Sequence, residues 1–303
     1  MRPAHLFLLL LMNLGWASVY SAYKILALPA GSIVTLRFGF AAVALLLAWP
    51  WFPGTAPRGG DLIKSCLMGL VLSVVGQRLQ VYGNEIGTAG NSAVLMSLEP
   101  LVTSVVAALF LKEHLGPRRL AGFALAMAGV ALLNGAWRPD FQMIHLSASL
   151  LFVSSFICEA LYSVIGKPIM MRASMMKMLA LSLGVGTGVN LLIDGKSTFQ
   201  AAQALSPDAW LLLAGMGVIC TAVGYVVWFM IIRECPVNVA ALTVFAQTVF
   251  GVAIAALWVG EKLRWEHLFG SLTIITGLVV GLSGQIHGKL LRKSEARNPT
   301  RSP

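Results

Sequence analysis

The sequence predicts an all-α integral membrane protein of ten transmembrane helices, arranged as two inverted five-helix repeats. Of its 303 residues 57% are hydrophobic and only 11% are charged, whereas soluble domains carry about 25% charged residues. Apolar runs of about 20 residues, the length that crosses a bilayer core, recur along the chain. The second half of the chain also repeats the first. Composition, run length and repetition therefore agree on the fold class.

Ten apolar runs are separated by short polar segments. The first run is longer than the apolar region of a signal peptide, so we count it as a span. The remaining segments are too short for a soluble catalytic domain. The predicted spans, numbered 1 to 10, are 6–26, 32–51, 62–82, 88–111, 120–136, 146–165, 176–193, 209–232, 237–259 and 265–284.

The net charge of +10 indicates topology rather than a nucleic-acid partner. With ten spans and both termini in the cytoplasm, fifteen Lys and Arg residues fall on the cytoplasmic side and five on the other. This bias is the positive-inside rule. It predicts a multi-pass protein of the plasma membrane (bacterial inner membrane) with both termini cytoplasmic. The basic tail 286–303 is expected to contact anionic membrane lipids.

Shifting the chain by 148 residues aligns spans 3–5 with spans 8–10 without a gap. The thirteen identities include several glycines and the pair Glu113 and Glu261. Each copy holds five spans, and an odd number inserts the second copy upside down. The predicted units are 1–140, 141–285 and the tail 286–303. Inverted repeats are typical of secondary transporters, although channels and membrane enzymes also contain repeats.

Several short motifs resemble the drug/metabolite transporter superfamily, in particular its EamA-type ten-helix members. They are Gly15-Trp16-Ala17 with Lys24, Arg37, Leu98-Glu99-Pro100-Leu101, Lys112-Glu113-His114-Leu115 and Gly260-Glu261-Lys262-Leu263. The resemblance covers the chain up to the tail and implies transport of a small metabolite. Members carry amino acids, amines, sugars, nucleotide-linked metabolites and drugs, so the resemblance does not define the substrate. The second copy departs from the first, because Gln247 and Thr248 replace Glu99 and Pro100.

Polar and aromatic residues recur at helical spacing inside several spans. Span 3 carries Ser73, Gln77, Gln80 and Asn84 on one face. Comparable faces carry Asn13 and Tyr23 in span 1, Ser155 in span 6, and Ser92, Met96 and Thr103 in span 4. We predict that these faces converge on a midplane cavity. The alternative is ordinary interhelical hydrogen bonding, worth about 0.6 kcal/mol per pair. The substrate-binding candidates are Trp16, Tyr20, Gln77, Gln80, Glu99, Glu159, Tyr162, Tyr225, Trp228 and Gln247.

Glu99 and Glu159 are the candidates for proton coupling. A low-dielectric surrounding favours the neutral form of a carboxyl group, so such a residue can exchange a proton or pair with a cationic substrate. The alternative is a structural ion pair with Arg37 or Arg78. Pro100 is expected to kink span 4.

Other residues have structural interpretations. Glu113 and Glu261 are expected to cap or brace span ends. Gly184-x-x-x-Gly188 and Gly277-x-x-x-Gly281 are interpreted as close helix contacts. Four cysteines and five histidines show no metal-ligand spacing. We therefore expect no metal, no cofactor and no catalytic residues.

These features predict a secondary active transporter, not an enzyme, that works by alternating access. It is expected to export a small amino acid or related metabolite by proton exchange. The partners are the small-molecule substrate, membrane lipids and, as an option that the sequence leaves open, a second copy of the chain in a homodimer; no nucleic acid is expected. The alternatives are a membrane-embedded enzyme, a lipid-handling protein or a channel.

Overall fold

The structure, a computed structural model, describes residues 2–86, 98–133, 146–254, 256–257 and 264–297. These residues are almost entirely helical, and none of them lies in a β-strand. Among the described residues, eight helices are long and apolar enough to cross a membrane, and Glu99–Leu111 is a shorter apolar helix. The predicted all-α membrane class is confirmed.

Where its residues are described, each predicted span is helical. Spans 3, 8 and 9 are each built from several helical segments. In chain order the helices are Pro3–Leu26 (span 1), Ala30–Leu47 (span 2), Gly60–Gly69, Leu70–Gly76 and Gln77–Ile86 (span 3), Glu99–Leu111 (span 4), Pro117–Leu133 (span 5), Leu146–Ile169 (span 6), Met175–Gln203 (span 7), Pro207–Gly215, Met216–Val223 and Gly224–Glu234 (span 8), Val237–Leu242, Thr243–Phe245 and Ala246–Ile254 (span 9), and Trp265–Arg297 (span 10).

Spans 3 and 8 each contain a π-helical segment at repeat-related positions, Leu70–Gly76 and Met216–Val223. The wider π turn leaves backbone carbonyls available to neighbours, and such segments often occur at functional sites. Asn190 of span 7 donates its side-chain amide to the Ser73 carbonyl at 3.1 Å. Trp16 of span 1 donates its indole N–H to the Cys220 carbonyl at 2.7 Å.

The packing of the spans follows the repeat. Span 4 packs on span 6, and its counterpart span 9 packs on span 1. Span 3 contacts spans 6 and 7, and its counterpart span 8 contacts spans 1 and 2. Span 5 lies along span 10, and span 2 lies along span 7. Replacing each of these spans by its counterpart in the other half therefore gives another contact that the structure contains.

Three ion pairs gather five chain segments at one end of the bundle, and they show that the halves are inverted. Span 1 begins at this end, whereas its counterpart span 6 ends there. Span 4 ends there, whereas its counterpart span 9 begins there. The pairs are Arg2–Glu234 at 3.3 Å, Arg172–Asp61 at 2.7 Å and Lys167–Glu113 at 2.9 Å.

Glycines stand where helices cross most closely. A Cβ placed on Gly122 would lie 2.7 Å from the Cα of Gly281, and one on Gly277 would lie 2.7 Å from the carbonyl of Gly122. The predicted contact through Gly277 and Gly281 is thus confirmed. The predicted contact through Gly184 and Gly188 is wrong. Gly184 meets only a Leu46 methyl group at an ordinary 3.4 Å, and a Cβ on Gly188 would have no neighbour within 4 Å.

The close glycine of span 7 is Gly186 instead. A Cβ on Gly186 would lie 2.7 Å from the carbonyl of Gly69 in span 3. The sequence separation of four residues selects one face of a helix but does not say which face meets a neighbour. Here the face that contains Gly186 meets span 3.

Candidate functional site

A cavity lies between spans 1, 2, 3, 4, 6, 8 and 9, and it draws residues from both repeats. Its volume is about 60 Å³, enough for a few water molecules. Nine of the ten substrate-binding candidates line it, and the side chain of the tenth, Tyr20, lies outside the described residues. The convergence predicted from helical spacing is therefore what the structure shows for these nine. Thr103 and Tyr23 also line the cavity.

One wall of the cavity is aromatic. The Trp16 ring lies 5.9 Å from the Tyr225 ring and 6.2 Å from the Trp228 ring, measured between centroids. Tyr162 meets Tyr225 at 5.2 Å in an edge-to-face arrangement, and Trp228 donates its indole N–H to Ser163 at 2.9 Å. Trp16 and Trp228, the two tryptophans placed away from span ends, therefore face each other across the repeat interface. This wall suits the apolar part of a ligand.

The cavity lining also contains a series of polar side chains joined by hydrogen bonds, which begins at Arg37. The guanidinium donates Nη1 to Tyr23 at 2.6 Å and to Gln77 Oε1 at 3.3 Å. Gln77 donates its amide to Glu159 Oε1 at 2.8 Å, and Gln80 donates to the same oxygen at 3.3 Å. The Arg37 guanidinium and the Glu159 carboxyl group are thus separated by the amide side chain of Gln77.

Glu99 and Glu159 form a carboxyl pair. Both side chains line the cavity, from spans 4 and 6, and their carboxyl groups lie close enough to hydrogen-bond each other. Such a bond would need at least one proton on the pair, because an ionised carboxylate only accepts hydrogen bonds. Pro100 occupies the first turn of the helix that begins at Glu99, where its missing N–H leaves no helical bond unmade. The segment expected to form the other side of a kink, together with Ser92 and Met96, lies outside the described residues.

The two intramembrane arginines have other partners than the ion pair considered from sequence. Arg78 pairs with Asp194 and donates to Asn190 at 2.9 Å on the span 7 side. Arg37 hydrogen-bonds only neutral acceptors and interacts with Glu159 electrostatically through Gln77. In the part of the chain that the structure describes, neither arginine forms an ion pair with Glu99 or Glu159. Sequence reasoning did not place Arg37 among the site residues, although its charge inside span 2 was a usable signal.

The repeat counterpart of the carboxyl pair is uncharged. Gln247 occupies the position equivalent to Glu99, and it donates to Asn13 Oδ1 in span 1 at 3.0 Å. Asn13 also donates to the Thr243 carbonyl at 3.1 Å, where a short 3-10 segment interrupts span 9. Among the described residues that line the cavity, the carboxyl groups therefore lie on spans 4 and 6.

Some predicted polar positions have local roles. Ser73 and Ser155 each donate to a carbonyl of their own helix, so neither hydroxyl makes the interhelical hydrogen bond considered from the sequence. Glu113 accepts from the backbone N–H groups of Val237 at 2.8 Å and Asn238 at 3.0 Å, so it caps span 9 as expected. Glu261 and the side chain of Asn84 lie outside the described residues.

Among the described residues, no group of three or more His, Cys, Asp or Glu side chains could hold a metal ion.

A family model, the EamA-like transporter family, matches residues 4–135 and 146–282. The chain belongs to the EamA-like transporter family. This EamA-like transporter is therefore a multi-pass membrane protein that moves a small molecule. The resemblance inferred from the short motifs is confirmed.

Several relatives of this EamA-like transporter have been named. It is 24% identical over 302 residues to a probable terminal-alkyne amino-acid exporter of Streptantibioticus cattleyicolor, covering 97% of each chain. It is 26% identical over 212 residues to a probable amino-acid metabolite efflux pump of Escherichia coli, covering 65% of this chain and 68% of that one. A solved crystal structure shares the fold with a TM-score of 0.75 at 16% identity, covering 92% of this chain and 96% of that chain.

Proposed function

We propose that this EamA-like transporter is a secondary active transporter that exports a small amino acid or related metabolite in exchange for protons. The observation that carries the proposal is the pair of neighbouring carboxyl groups, Glu99 and Glu159, in a cavity built from both repeats. The substrate binds in this cavity, and the two inverted halves rock about it to expose it to either side of the membrane.

The carboxyl pair suits proton exchange because it holds a proton that it can release. Gln77 and Gln80 both donate to Glu159, and these bonds stabilise the ionised form of the pair after release. A proton that binds one conformation more tightly than the other shifts their populations by its differential affinity. The pair bridges spans 4 and 6, so its protonation state acts directly on a contact between the two repeats.

The cavity is closed in this conformation. Pockets for drug-sized ligands measure about 300–1,000 Å³, whereas this cavity measures about 60 Å³. The walls must therefore separate before an amino acid can bind, as alternating access requires. Two named relatives are an amino-acid exporter and an amino-acid metabolite efflux pump, which favours amino acids as the first substrates to test.

The test is counterflow in proteoliposomes made with the purified protein. Vesicles loaded with an unlabelled amino acid, taken in turn from the common set, are diluted into a trace of the labelled compound. A carrier accumulates label transiently by exchange, and an acid-inside pH gradient accelerates net uptake if protons leave in exchange.

Other outcomes contradict the proposal in distinct ways. A channel equilibrates the label without transient accumulation, and an enzyme returns a chemically altered compound. If counterflow occurs but the pH gradient does not change net uptake, the protein is a carrier that does not exchange protons. Vesicles without protein are the control for leakage.

A further inference from the structure

Arg37 presents a positive charge to the cavity, and no anion among the described residues is in hydrogen-bond contact with it. The residue is only 6% exposed. Its Nε donates to Thr221 Oγ1 at 2.8 Å, and its Nη1 donates to Tyr23 and Gln77. All three acceptors are neutral. The remaining nitrogen, Nη2, has no hydrogen-bond partner within the described part of the chain.

The carboxyl pair does not contact Arg37. Glu99 and Glu159 line the same cavity, but among the described residues Arg37 hydrogen-bonds Thr221, Tyr23 and Gln77 and neither carboxyl group. Gln77 lies between Arg37 and Glu159 and holds the two charges apart. A charged side chain at the centre of a bilayer is costly to insert, and such residues usually mark a functional site. A buried cation without a contacting anion therefore needs a reason beyond packing.

The guanidinium is held in one orientation before any ligand arrives. Spans 1, 3 and 8 each supply one acceptor, and the Arg37 carbon Cζ lies 5.3 Å from the centre of the Phe38 ring. A planar guanidinium that is already ordered binds a carboxylate with little further loss of entropy. Charge-assisted bonds of this kind are also stronger than neutral ones.

The segment of span 8 that orients Arg37 also positions the aromatic wall. Thr221, which orients Arg37, and Cys220, whose carbonyl accepts the Trp16 indole N–H, are neighbours in the π segment of span 8. The cationic group and the apolar wall thus have a fixed relation to each other. A ligand with a carboxylate at one end and an apolar side chain at the other matches both.

We propose that Arg37 is a specificity-determining residue that binds the carboxylate of the substrate through Nη2, while the apolar part of the substrate lies against Trp16 and Tyr225. This inference rests on the proposed transport function, and it adds a requirement. The substrate must have a free carboxylate, so an otherwise identical carboxamide is rejected.

The test uses two matched pairs of probes, L-leucine with L-leucinamide and L-phenylalanine with L-phenylalaninamide. Each pair keeps the amine and the side chain and differs in the carboxylate. Binding to the purified protein is measured by the shift in its unfolding temperature, at a mildly acidic pH where all the amino groups are protonated. One charge-assisted hydrogen bond contributes about 1.5–3 kcal/mol, so the acids should bind about 10- to 100-fold more tightly than their amides.

Arg37→Gln should bind each acid and its amide about equally, because it removes the charge that distinguishes them. Arg37→Lys keeps the charge but loses the planar fork, so its preference should be reduced and not abolished. The matched control is Arg78→Lys, at the other intramembrane arginine, which pairs with Asp194 away from the cavity. It should keep the acid preference of the wild type. If Arg37→Gln does not fold, the wild-type comparison and Arg37→Lys decide the question.

Two results overturn the inference and are distinguishable. If the wild type exchanges amino acids but binds acids and amides equally, Arg37 does not recognise a carboxylate and the transport function stands. An equal loss of acid preference in Arg78→Lys and Arg37→Lys has the same consequence, because the effect is then structural. If no acid is bound or exchanged, the proposed substrate class fails and the inference fails with it.

Discussion

At the scale of single residues, the central question is what the proton on the carboxyl pair does. Glu99 meets Glu159, whereas its repeat counterpart Gln247 meets Asn13. The change Glu99→Gln keeps the shape of the side chain and makes the two halves alike. We expect this variant to insert normally, to lose pH-driven net transport and to retain substrate exchange. The measurement is uptake in proteoliposomes with and without an acid-inside gradient.

The control for this experiment is Glu234→Gln, a half-exposed carboxylate outside the cavity that pairs with Arg2. It should respond to the gradient as the wild type does. If Glu99→Gln transports with an unchanged pH dependence, Glu99 is structural and Glu159 becomes the better candidate for the coupling site.

Residue spacing predicted much of the site, and its one clear omission is informative. Polar side chains at helical spacing identified Gln77, Gln80, Tyr225 and Trp228, because one face of each helix must point in one direction. Arg37 was set aside as an ion-pair partner. Its value as a free cation depends on which groups surround it, and those groups come from three other spans.

At the scale of helices, the glycines shared by the two repeats mark the crossings of the bundle. Gly129 of span 5 and its counterpart Gly277 of span 10 both lie at the contact between those spans, and a Cβ on Gly129 would lie 2.7 Å from the backbone nitrogen of Ile274. Without a hydrophobic force between helices in lipid, close backbone packing holds them together. Chance identity between apolar sequences does not place glycines at contacts.

We therefore expect Gly129→Ala to destabilise the protein by about 1–3 kcal/mol, the usual cost of overpacking. The matched control is Gly188→Ala in span 7, where a Cβ meets nothing within 4 Å. It should be neutral or slightly stabilising, because alanine favours helix more than glycine does. Unfolding temperature in detergent separates the two. Equal effects at both positions would show that the crossing of spans 5 and 10 does not depend on close backbone contact.

At the scale of the whole molecule, the ion pairs show which loops lie at the same end of the bundle. The distribution of Lys and Arg predicts which side of the membrane that end faces. Arg2, Asp61, Glu113, Lys167, Arg172 and Glu234 meet at one end of the bundle. Of the chain's Lys and Arg residues outside spans, most fall at this end in the ten-span topology, which predicts that it is cytoplasmic.

A reporter that is active only in the cytoplasm tests this topology. It should work when fused after Arg118 or after Gln285, and it should be silent after Lys196. A silent fusion after Gln285 would contradict the even number of spans. Activity after all three positions would instead indicate that the fusions disturb insertion, which a protease-protection assay on the intact chain would detect.

The sequence by itself determined the class of the molecule and the faces that line the cavity, and it predicts ten spans and an internal repeat. Each of these follows from one-dimensional quantities: run length against bilayer thickness, the period of a helix and the identity of residues 148 positions apart. The wrong assignment of Gly184 and Gly188 shows the limit of this approach. The helical period shows which residues share a face of a helix, but it does not show which other helix packs against that face.

Only the tertiary structure decided which side chains are partners. In the structure Glu99 lies beside Glu159, and Gln77 lies between Arg37 and Glu159. Arg78 pairs with Asp194. These residues are far apart in the chain, and nothing in their local sequence distinguishes one pairing from another. The free energy of a buried charge depends on the groups within a few ångströms of it, and those groups are set by how the helices pack.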